Sequence, residues 1–384
     1  MTIQLVGDTS DTVHSTMVPT VAQRVAAIDA LRGFDMFWIV GGRDLVITAV
    51  ALFRQPLPKW VEFHAEHVAW VGFSAWDLIM PLFLFVVGAA MPFSFARRIE
   101  QGQSKQKLYV KIVSRFVILF ILGMIVQGHL LDFDSSTLHV FANTLQAIAV
   151  GYLVASVLML NSGVVVQIIF AVAMLVGYWL LLTFVPFGGH PAGTLEPHAN
   201  LALAVDEFVL GRFRDGTTYT WVLSGMTFTA TVLCGVFGGH VLRSRMSSWL
   251  KTITLVAMGL ACLAGGWAWA EWLGFPIIKH IWTSSMTLWA AGWSYLLLAL
   301  FYLLIDVVGW RRWAFPFIVI GMNAITIYVA YAIIPFRSIA EELVGGLARH
   351  LGSVGGPFAI AATSFLLVWI LLYHLYRQRI FLRI

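Results

Sequence analysis

Ten stretches of mostly apolar residues follow one another along the chain, separated by short polar segments. A helix needs about 20 apolar residues to cross the hydrocarbon layer of a bilayer, so we predict ten membrane-spanning helices. Their approximate positions are 29–53, 71–95, 109–131, 140–160, 163–186, 219–242, 250–273, 284–307, 313–334 and 357–377. The pattern predicts an all-α fold: a polytopic membrane helix bundle that forms a single transmembrane domain over residues 24–384.

Composition agrees with a membrane protein. Hydrophobic residues make up 60% of the chain and charged residues 11%, whereas soluble domains carry about 25% charged residues. The mean hydropathy is +0.85. The net charge of +5 is better explained as an orientation signal than as affinity for nucleic acid, because the basic residues cluster in particular loops. We therefore expect the lipid bilayer, and no nucleic acid, as a partner.

Basic residues concentrate on one side of the predicted membrane. The connection after the second span and the start of the third carry Arg97, Arg98, Lys105, Lys107, Lys111 and Arg115. Because positive loops stay in the cytoplasm, we predict that both termini are cytoplasmic and that the loop after the first span faces outward. Residues 1–23 are polar and lack the apolar core of a signal peptide, so we expect a cytoplasmic tail there. A short chain without a lumenal domain suggests a multi-pass protein of a bacterial inner membrane.

A histidine and an aspartate mark the entry to the second span. The segment reads His67-Val-Ala-Trp70-Val-Gly72-Phe-Ser-Ala-Trp-Asp77. If it were one helix, the ten-residue spacing would separate His67 and Asp77 by about 15 Å. An acidic side chain inside a membrane helix costs about 2.5 kcal/mol or more, so it usually marks a site. We interpret this stretch as the mouth and wall of a catalytic cavity.

The first span carries charges at two depths. Its charged residues are Asp29, Arg32, Asp35, Arg43 and Asp44. The first three are spaced three residues apart, so they share one stripe of a helix and can pair. They either fix the depth of the helix by snorkelling or hold a guanidinium toward an anionic ligand at the cytoplasmic mouth. Gly41-Gly42 permits a break, which would place the last two charges deep or near the outer end.

Several other polar or aromatic side chains are candidates for ligand contact. They are Gln146, Lys279, Trp282, Ser285 and Asn323 in or beside later spans, and Asn200 in the loop 187–218. Each polar group can instead join neighbouring helices by hydrogen bonds. The loop 187–218 is the longest, and its length suits a lid over an outward cavity. No histidine or cysteine pair has the spacing of a metal site, so we predict no metal.

The order of these motifs resembles that of a known family. The matching pieces are Ile28-Asp29-Ala-Leu-Arg32-Gly33-Phe-Asp35-Met-Phe-Trp, His67-x-x-Trp70-x-Gly72-x(4)-Asp77-Leu-x-x-Pro81, Leu145-Gln146, Asn200-Leu with Asp206 and Gly211, Ile281-Trp282-Thr283-Ser284-Ser285 and Gly321-Met322-Asn323-Ala324. They resemble the heparan-alpha-glucosaminide N-acetyltransferase family of transmembrane acyltransferases, over nearly the whole chain from residue 24. Eukaryotic members differ in two ways: they carry a lumenal domain before the first span, and an asparagine where this chain has Arg43-Asp44.

The resemblance implies an integral-membrane enzyme that takes acetyl-CoA from the cytoplasm. It would transfer the acetyl group to the amine of a terminal glucosamine on the far side. The family's catalytic histidine falls on His67, and Asp77 would shape the cavity or orient a partner. The phosphates of coenzyme A require basic side chains, for which we consider Arg32 and the basic stretch 97–115.

His67 can act as a general base or as a nucleophile that forms an acetyl-histidine, since histidine exchanges protons near neutral pH. The sequence leaves both routes open. On the donor side we predict contacts from Asp29, Arg32, Asp35, Gln146, Ser285 and Asn323; on the side of the amino-sugar acceptor we predict contacts from Asp44, Asn200, Lys279 and Trp282. Gln146, Ser285 and Asn323 are candidates for hydrogen bonds to an oxyanion or to the acceptor.

Two other classes compete with the enzyme. The charges inside the spans can serve a proton-coupled amino-sugar transporter, and paired broken helices in both halves of the chain would favour that reading. Only one candidate break, at Gly41-Gly42, is visible in the sequence. A structural membrane subunit would leave the charged first span unexplained. A homodimer is compatible with each reading, although no segment marks an interface.

Overall fold

The computed structural model describes residues 25–381, so the predicted tail 1–23 lies outside the described residues. The α-helices are α1 Ala26–Phe37, α2 Arg43–Phe53, α3 Lys59–Ala65, α4 Ile79–Glu100, α5 Lys105–Val126, α6 Thr144–Asn161, α7 Val164–Phe184, α8 Leu201–Leu210, α9 Gly225–Arg243, α10 Ser248–Trp272, α11 Ser284–Tyr302, α12 Phe315–Met322, α13 Ala324–Ile333, α14 Phe336–His350 and α15 Gly352–Arg377. Short π-helical turns follow α1 (Trp38–Gly42) and α11 (Leu303–Val307), and 3-10 turns cover Trp76–Leu78, Leu130–Asp132 and Gly211–Phe213. The two strands, β1 Leu195–Glu196 and β2 Ala199–Asn200, form one antiparallel hairpin.

Within residues 25–381, nine helical segments are long and apolar enough to cross a membrane, and the bent pair α12–α13 makes a tenth. The nine are Ala26–Phe53, Trp76–Glu100, Lys105–Val126, Thr144–Asn161, Val164–Phe184, Gly225–Arg243, Ser248–Trp272, Ser284–Val307 and Gly352–Arg377. The predicted all-α membrane bundle of about ten spans is confirmed. The second span begins at Trp76, five residues later than predicted, because the preceding residues form a loop.

Two of the spans are broken. In the first, Val40 and Gly41 leave helical geometry within the π-helical turn, and Gly41 has a φ of 108°, which a residue without a Cβ adopts at little cost. This is the break that Gly41-Gly42 predicted. In the bent pair, which is the predicted span 313–334, α12 and α13 meet at an angle of 75° at Asn323. The sequence gives no sign of this second break, because apolar residues continue on both sides of it.

Close helix packing depends on glycines. A Cβ at Gly321 would lie 2.0 Å from the carbonyl oxygen of Asp29, and a Cβ at Gly88 would lie 2.0 Å from that of Val232. These contacts press α12 against α1 and α4 against α9, as small residues do between membrane helices. The spans that contain α4 and α9 are the most buried of the bundle, so they form its centre.

The alternation of the ten spans brings five connections to the same end of the bundle, and three of them build the candidate site. These three are residues 54–75, 185–224 and 273–283. The second of them, which includes the loop predicted as a lid, contains the β1–β2 hairpin and α8. Histidine, lysine and aromatic side chains from these connections meet beside the start of the second span.

Candidate active site

The segment before the second span is tied to both neighbouring connections. The backbone N–H of Gly72 donates to Ile277 (2.9 Å), and the indole N–H of Trp70 donates to the carbonyl of Leu195 (2.8 Å). Gly72 has a φ of 126°, which disfavours any residue with a Cβ. The Trp70-x-Gly72 part of the motif therefore anchors the loop and turns it, and the pairing with Ile277 brings the residues after it toward His67.

The sequence-based spacing of His67 and Asp77 was wrong. Residues 66–75 are not helical, and the chain folds back so that Nδ1 of His67 lies 2.7 Å from Oδ1 of Asp77. A helix would have held them about 15 Å apart. The positive φ of Gly72 and the backbone pairing with the 273–283 connection explain the difference, because together they replace the first turns of the expected helix with a loop.

The carboxylate of Asp77 is held by its own loop. Its Oδ2 accepts hydrogen bonds from the backbone N–H of Ser74 (3.0 Å), the hydroxyl of Ser74 (3.1 Å) and the backbone N–H of Val68 (3.3 Å). The N–H of Asp77 donates back to the Ser74 hydroxyl (3.3 Å), which makes a reciprocal capping box. These bonds fix the carboxylate and leave its Oδ1 directed at His67.

Lys279 completes the cluster. Its Nζ lies 3.0 Å from Nδ1 of His67 and 3.5 Å from Oδ1 of Asp77. The side chain is only 6% exposed, and this burial lowers the pKa of Lys279 to about 8, against the opposing effect of the Asp77 carboxylate. The ring of Tyr219 lies 5.8 Å from the ammonium. Burial, followed by the Asp77 charge, raises the pKa of Tyr219 to about 12, so its phenol stays protonated at neutral pH.

The hydrogen bonds assign a tautomer to His67. Its Nδ1 either donates a proton to Asp77 or accepts one from Lys279, but it cannot do both. The contact with the carboxylate is shorter, 2.7 Å against 3.0 Å, and Oδ1 is an acceptor only, so we place the proton on Nδ1. The Nε2 atom then carries the lone pair. The imidazole is 42% exposed whereas the Asp77 side chain is 2% exposed, so the histidine is accessible at the surface while the carboxylate that orients it is buried.

Three residues of this site were not predicted from the sequence: Ser74, Tyr219 and His280. His280 stacks on Tyr219 at 4.2 Å and contacts the Thr218 hydroxyl (2.6 Å). Burial, followed by the positive charge of Lys279, lowers its pKa to about 4, so it is a neutral wall at physiological pH. The Ser-x-x-Asp spacing is a capping-box signature that could have identified Ser74. No local signal marks the other two.

Four other sequence candidates use their polar atoms within the protein. Gln146 bonds the backbone of Ala142 and Val140, Asn200 caps α8 through Leu203, Ser285 donates to the carbonyl of Pro276, and the Trp282 indole donates to Thr231. All four are buried. The structure does not show them in contact with the His67 cluster, and their hydrogen bonds hold loops and spans in place.

The charged residues of the first span lie in different surroundings. Arg32 pairs with Asp29 at 3.5 Å, as the spacing predicted. It also lines a cavity of about 220 Å³ with Arg115, whose guanidinium lies over the ring of Tyr152 at 4.4 Å. The structure thus joins Arg32 to one residue of the predicted basic stretch.

Asp35 does not join the pair of Asp29 and Arg32, although the stripe allowed it. Neither of its carboxylate oxygens has a hydrogen-bond partner among the described residues, and the side chain lines a separate cavity. Asn323 lies at the break of the ninth span, where its amide donates to the carbonyl of Ile380 (3.1 Å).

Asp44 lies in the first turn of α2, directly after the break in the first span. It pairs with Arg43 (3.3 Å) and with Arg337 (3.4 Å). These three side chains and Glu66 line a polar cavity of about 250 Å³. One of its lining residues, Glu66, directly precedes the candidate base His67 in the chain.

Comparison with known proteins gives two results. Residues 24–196 match a domain of unknown function, DUF5009. The chain is also 25% identical to the heparan-alpha-glucosaminide N-acetyltransferase of Mus musculus over 94% of this chain and 61% of the relative, and 25% identical to that of Homo sapiens over 84% and 56%. The chain spans about 60% of the length of these relatives. The chain is therefore a multi-pass membrane protein with distant homology to heparan-alpha-glucosaminide N-acetyltransferase, and its residues 24–196 are similar to DUF5009.

Proposed function

We propose that this protein is a transmembrane acetyltransferase that moves an acetyl group from cytoplasmic acetyl-CoA to the amine of a glucosamine-type sugar on the opposite, periplasmic side of a bacterial inner membrane. The observation that carries the proposal is the partly exposed imidazole of His67 on the buried carboxylate of Asp77, with Lys279 beside both. Distant homology to an N-acetyltransferase supports the reaction class.

In the proposed reaction, the acceptor nitrogen attacks the thioester carbonyl while Nε2 of His67 removes a proton from that nitrogen. A carbon–nitrogen bond forms, the carbon–sulfur bond breaks, and the proton passes on to the departing thiolate or to water. Asp77 stabilises the imidazolium that forms and keeps Nε2 free of hydrogen beforehand, the role of a carboxylate in a catalytic triad. A route through acetyl-histidine uses the same atom as the nucleophile.

Two charged groups flank Nδ1 of His67. The carboxylate of Asp77 lies 2.7 Å from it and the ammonium of Lys279 lies 3.0 Å from it. Both contacts orient the ring through Nδ1, so the proposal assigns the proton transfer to Nε2.

The donor is assigned to the cavity of Arg32 and Arg115 on the opposite side of the bundle. Two guanidiniums facing one cavity form a site for phosphate groups, which they bind through paired hydrogen bonds. Arg32 lies two turns into the first span and Arg115 about three turns into the third. The surplus of basic residues at this end supports a cytoplasmic orientation.

The acceptor is assigned to the polar cavity of Arg43, Asp44, Glu66 and Arg337. Its carboxylates can accept hydrogen bonds from an amino sugar's ammonium and hydroxyl groups, and its guanidiniums can donate to ring and hydroxyl oxygens. The assignment is supported by Glu66, a lining residue that directly precedes His67 in the chain. This assignment keeps Asp44 as an acceptor residue and adds three side chains that the sequence did not identify.

The proposal is tested in proteoliposomes with radiolabelled acetyl-CoA outside and glucosamine enclosed inside. We expect labelled N-acetylglucosamine inside the vesicles, formed by the fraction of molecules whose basic end faces outward. Protease treatment of the outer surface, followed by mass spectrometry of the cut sites, identifies which end that is. Product formed only when donor and acceptor share a compartment would contradict transfer across the membrane.

The second candidate function is a proton-coupled carrier of amino sugars. It gains support from the second broken span, because the breaks at Gly41 and Asn323 lie in α1–α2 and α12–α13, and α1 packs directly on α12. Discontinuous helices are common at transporter binding sites. Saturable uptake of labelled glucosamine that needs a proton gradient but no acetyl-CoA, with unmodified sugar recovered inside, would favour the carrier over the enzyme.

A further inference from the structure

A cavity of about 590 Å³ lies between α1, α4, α11 and the short helix α3. Its volume is within the range of sites that hold drug-sized molecules. We call it the tryptophan cavity, because Trp38, Trp60, Trp76, Trp289 and Trp293 line it. Its walls are otherwise mostly apolar, and the proposed acetyl transfer does not use its interior.

One acidic residue lies in the wall of this apolar space. Asp35 lines the cavity and is 1% exposed, and neither of its buried carboxylate oxygens has a hydrogen-bond partner among residues 25–381. A buried carboxylate without a partner is costly, and inside a membrane it usually marks a functional site. Within the described residues, the Asp35 carboxylate therefore lacks a counter-charge at the edge of the cavity.

The other lining residue with a fixed charge is engaged elsewhere. Arg43 donates to the carbonyl of Ala65 (2.6 Å), pairs with Asp44 (3.3 Å) and lies over the ring of Trp76 (5.3 Å). Neither carboxylate oxygen of Asp35 has Arg43 as a hydrogen-bond partner. Arg43 therefore does not neutralise the acidic part of the cavity.

The aromatic walls favour the same class of ligand. The faces of tryptophan rings attract cations, by up to about 2 kcal/mol where water is excluded, and they also accept large apolar groups. Trp293 is 42% exposed on α11, about 14 Å along the helix from its first residue. The rim of the cavity thus reaches the lipid-facing surface within the membrane, which gives an apolar compound a lateral route from the bilayer.

We propose that the tryptophan cavity binds an apolar organic cation that enters from the bilayer and places its positive centre at Asp35. The carboxylate supplies the counter-charge, and the indole rings enclose the apolar body. The tryptophan cavity borders the polar cavity assigned to the sugar and shares Arg43, Ile47, Val61 and Ala65 with it, whereas Asp35 and the five tryptophans line the tryptophan cavity alone.

The test compares two probes of the same shape and opposite charge, tetraphenylphosphonium and tetraphenylborate. Equilibrium dialysis of the purified full-length protein in detergent measures their binding, with empty micelles as the blank. We expect saturable binding of the cation alone. Asp35→Asn should weaken it at least tenfold, whereas Asp132→Asn, which removes an exposed carboxylate elsewhere, should leave it unchanged.

A measurement on the unaltered protein accompanies the variants. Tetraphenylphosphonium should raise the melting temperature of the wild type in a concentration-dependent way, and tetraphenylborate should not, because only a ligand of the folded state stabilises it. Equal affinity of Asp35→Asn and wild type for the cation, or equal binding of both probes by the wild type, would overturn the proposal.

Discussion

Replacement of Asp77 by asparagine tests the proposed support of His67 while keeping the size of the side chain. Three hydrogen bonds from Ser74 and Val68 converge on Oδ2 of Asp77. They require an acceptor, so the amide oxygen of the asparagine should take that position. The amide nitrogen then faces Nδ1 of His67, where Oδ1 lay at 2.7 Å.

With the amide nitrogen of Asp77→Asn on one side and the Lys279 ammonium on the other, a proton on Nδ1 would face only donors, so we expect the imidazole to change its tautomer. Its proton moves to Nε2, which removes the lone pair that the proposed reaction needs. The loss of the negative charge also leaves Lys279, 3.5 Å from the original carboxylate oxygen, without its counter-charge, and this opposes formation of an imidazolium. General acid–base catalysis contributes about 10²–10⁴ in rate, so we expect kcat to fall by that factor, or about 3–5 kcal/mol in activation free energy.

The assay is transfer of radiolabelled acetyl from acetyl-CoA to glucosamine by purified protein in detergent. The chain offers a matched control, because His129 and Asp132 form an exposed histidine–aspartate pair (3.0 Å) outside the cluster. Asp132→Asn should retain full activity. Wild-type kcat in a correctly folded Asp77→Asn protein would refute the tautomer argument, because the variant removes the acceptor on which that argument depends.

Three further predictions concern other parts of the account. The pKa of Lys279 is about 8 in the folded protein and about 10.4 in the unfolded chain, so the unfolded chain binds more protons between these pH values. The free energy of unfolding of the wild type should therefore rise by up to about 3 kcal/mol from pH 8 to 10.5 relative to that of Lys279→Met. Melting temperatures in detergent measure this, and parallel pH curves for the two proteins would contradict it. Arg115→Met should raise KM for acetyl-CoA about tenfold through loss of a charged hydrogen bond, with kcat little changed, whereas an unaltered KM would remove the donor assignment. Gly321→Ala should destabilise the protein by about 1–3 kcal/mol, because the new Cβ would lie 2.0 Å from a backbone oxygen. The control Gly345→Ala, whose Cβ would have nothing within 4 Å, should be neutral. Equal melting temperatures for these two variants would argue against close packing of α1 and α12.

The apolar pattern predicted the number of spans well because burial in lipid requires long apolar runs. It predicted the break at Gly41 because a pair of glycines is visible in the sequence. The bend at Asn323 was missed, since an asparagine between apolar residues is equally compatible with a straight helix. What distinguishes the two is packing against neighbouring spans, which one sequence does not contain.

The candidate site was predicted in its residues more than in its geometry. His67 and Asp77 stood out because they are polar groups at the edge of an apolar run. Their contact was not predictable from spacing, because it depends on the turn at Gly72 and on pairing with Ile277, a residue two hundred positions away. The position of Lys279 beside them follows from the same pairing. Gln146, Asn200 and Ser285 were predicted as ligand contacts, but their polar atoms bond to the protein backbone. The sequence does not distinguish a buried polar residue that bonds to backbone from one that contacts a ligand.

The most direct test of the central claim is acetyl transfer from radiolabelled acetyl-CoA to glucosamine by the wild type, by His67→Ala and by His129→Ala. The account predicts label on the sugar with the wild type and with His129→Ala, and a loss of about 10²–10⁴ in rate with His67→Ala. Equal transfer by His67→Ala would contradict the role of His67. No transfer by the wild type, together with saturable uptake of unmodified glucosamine into proteoliposomes, would contradict the enzyme and establish the carrier.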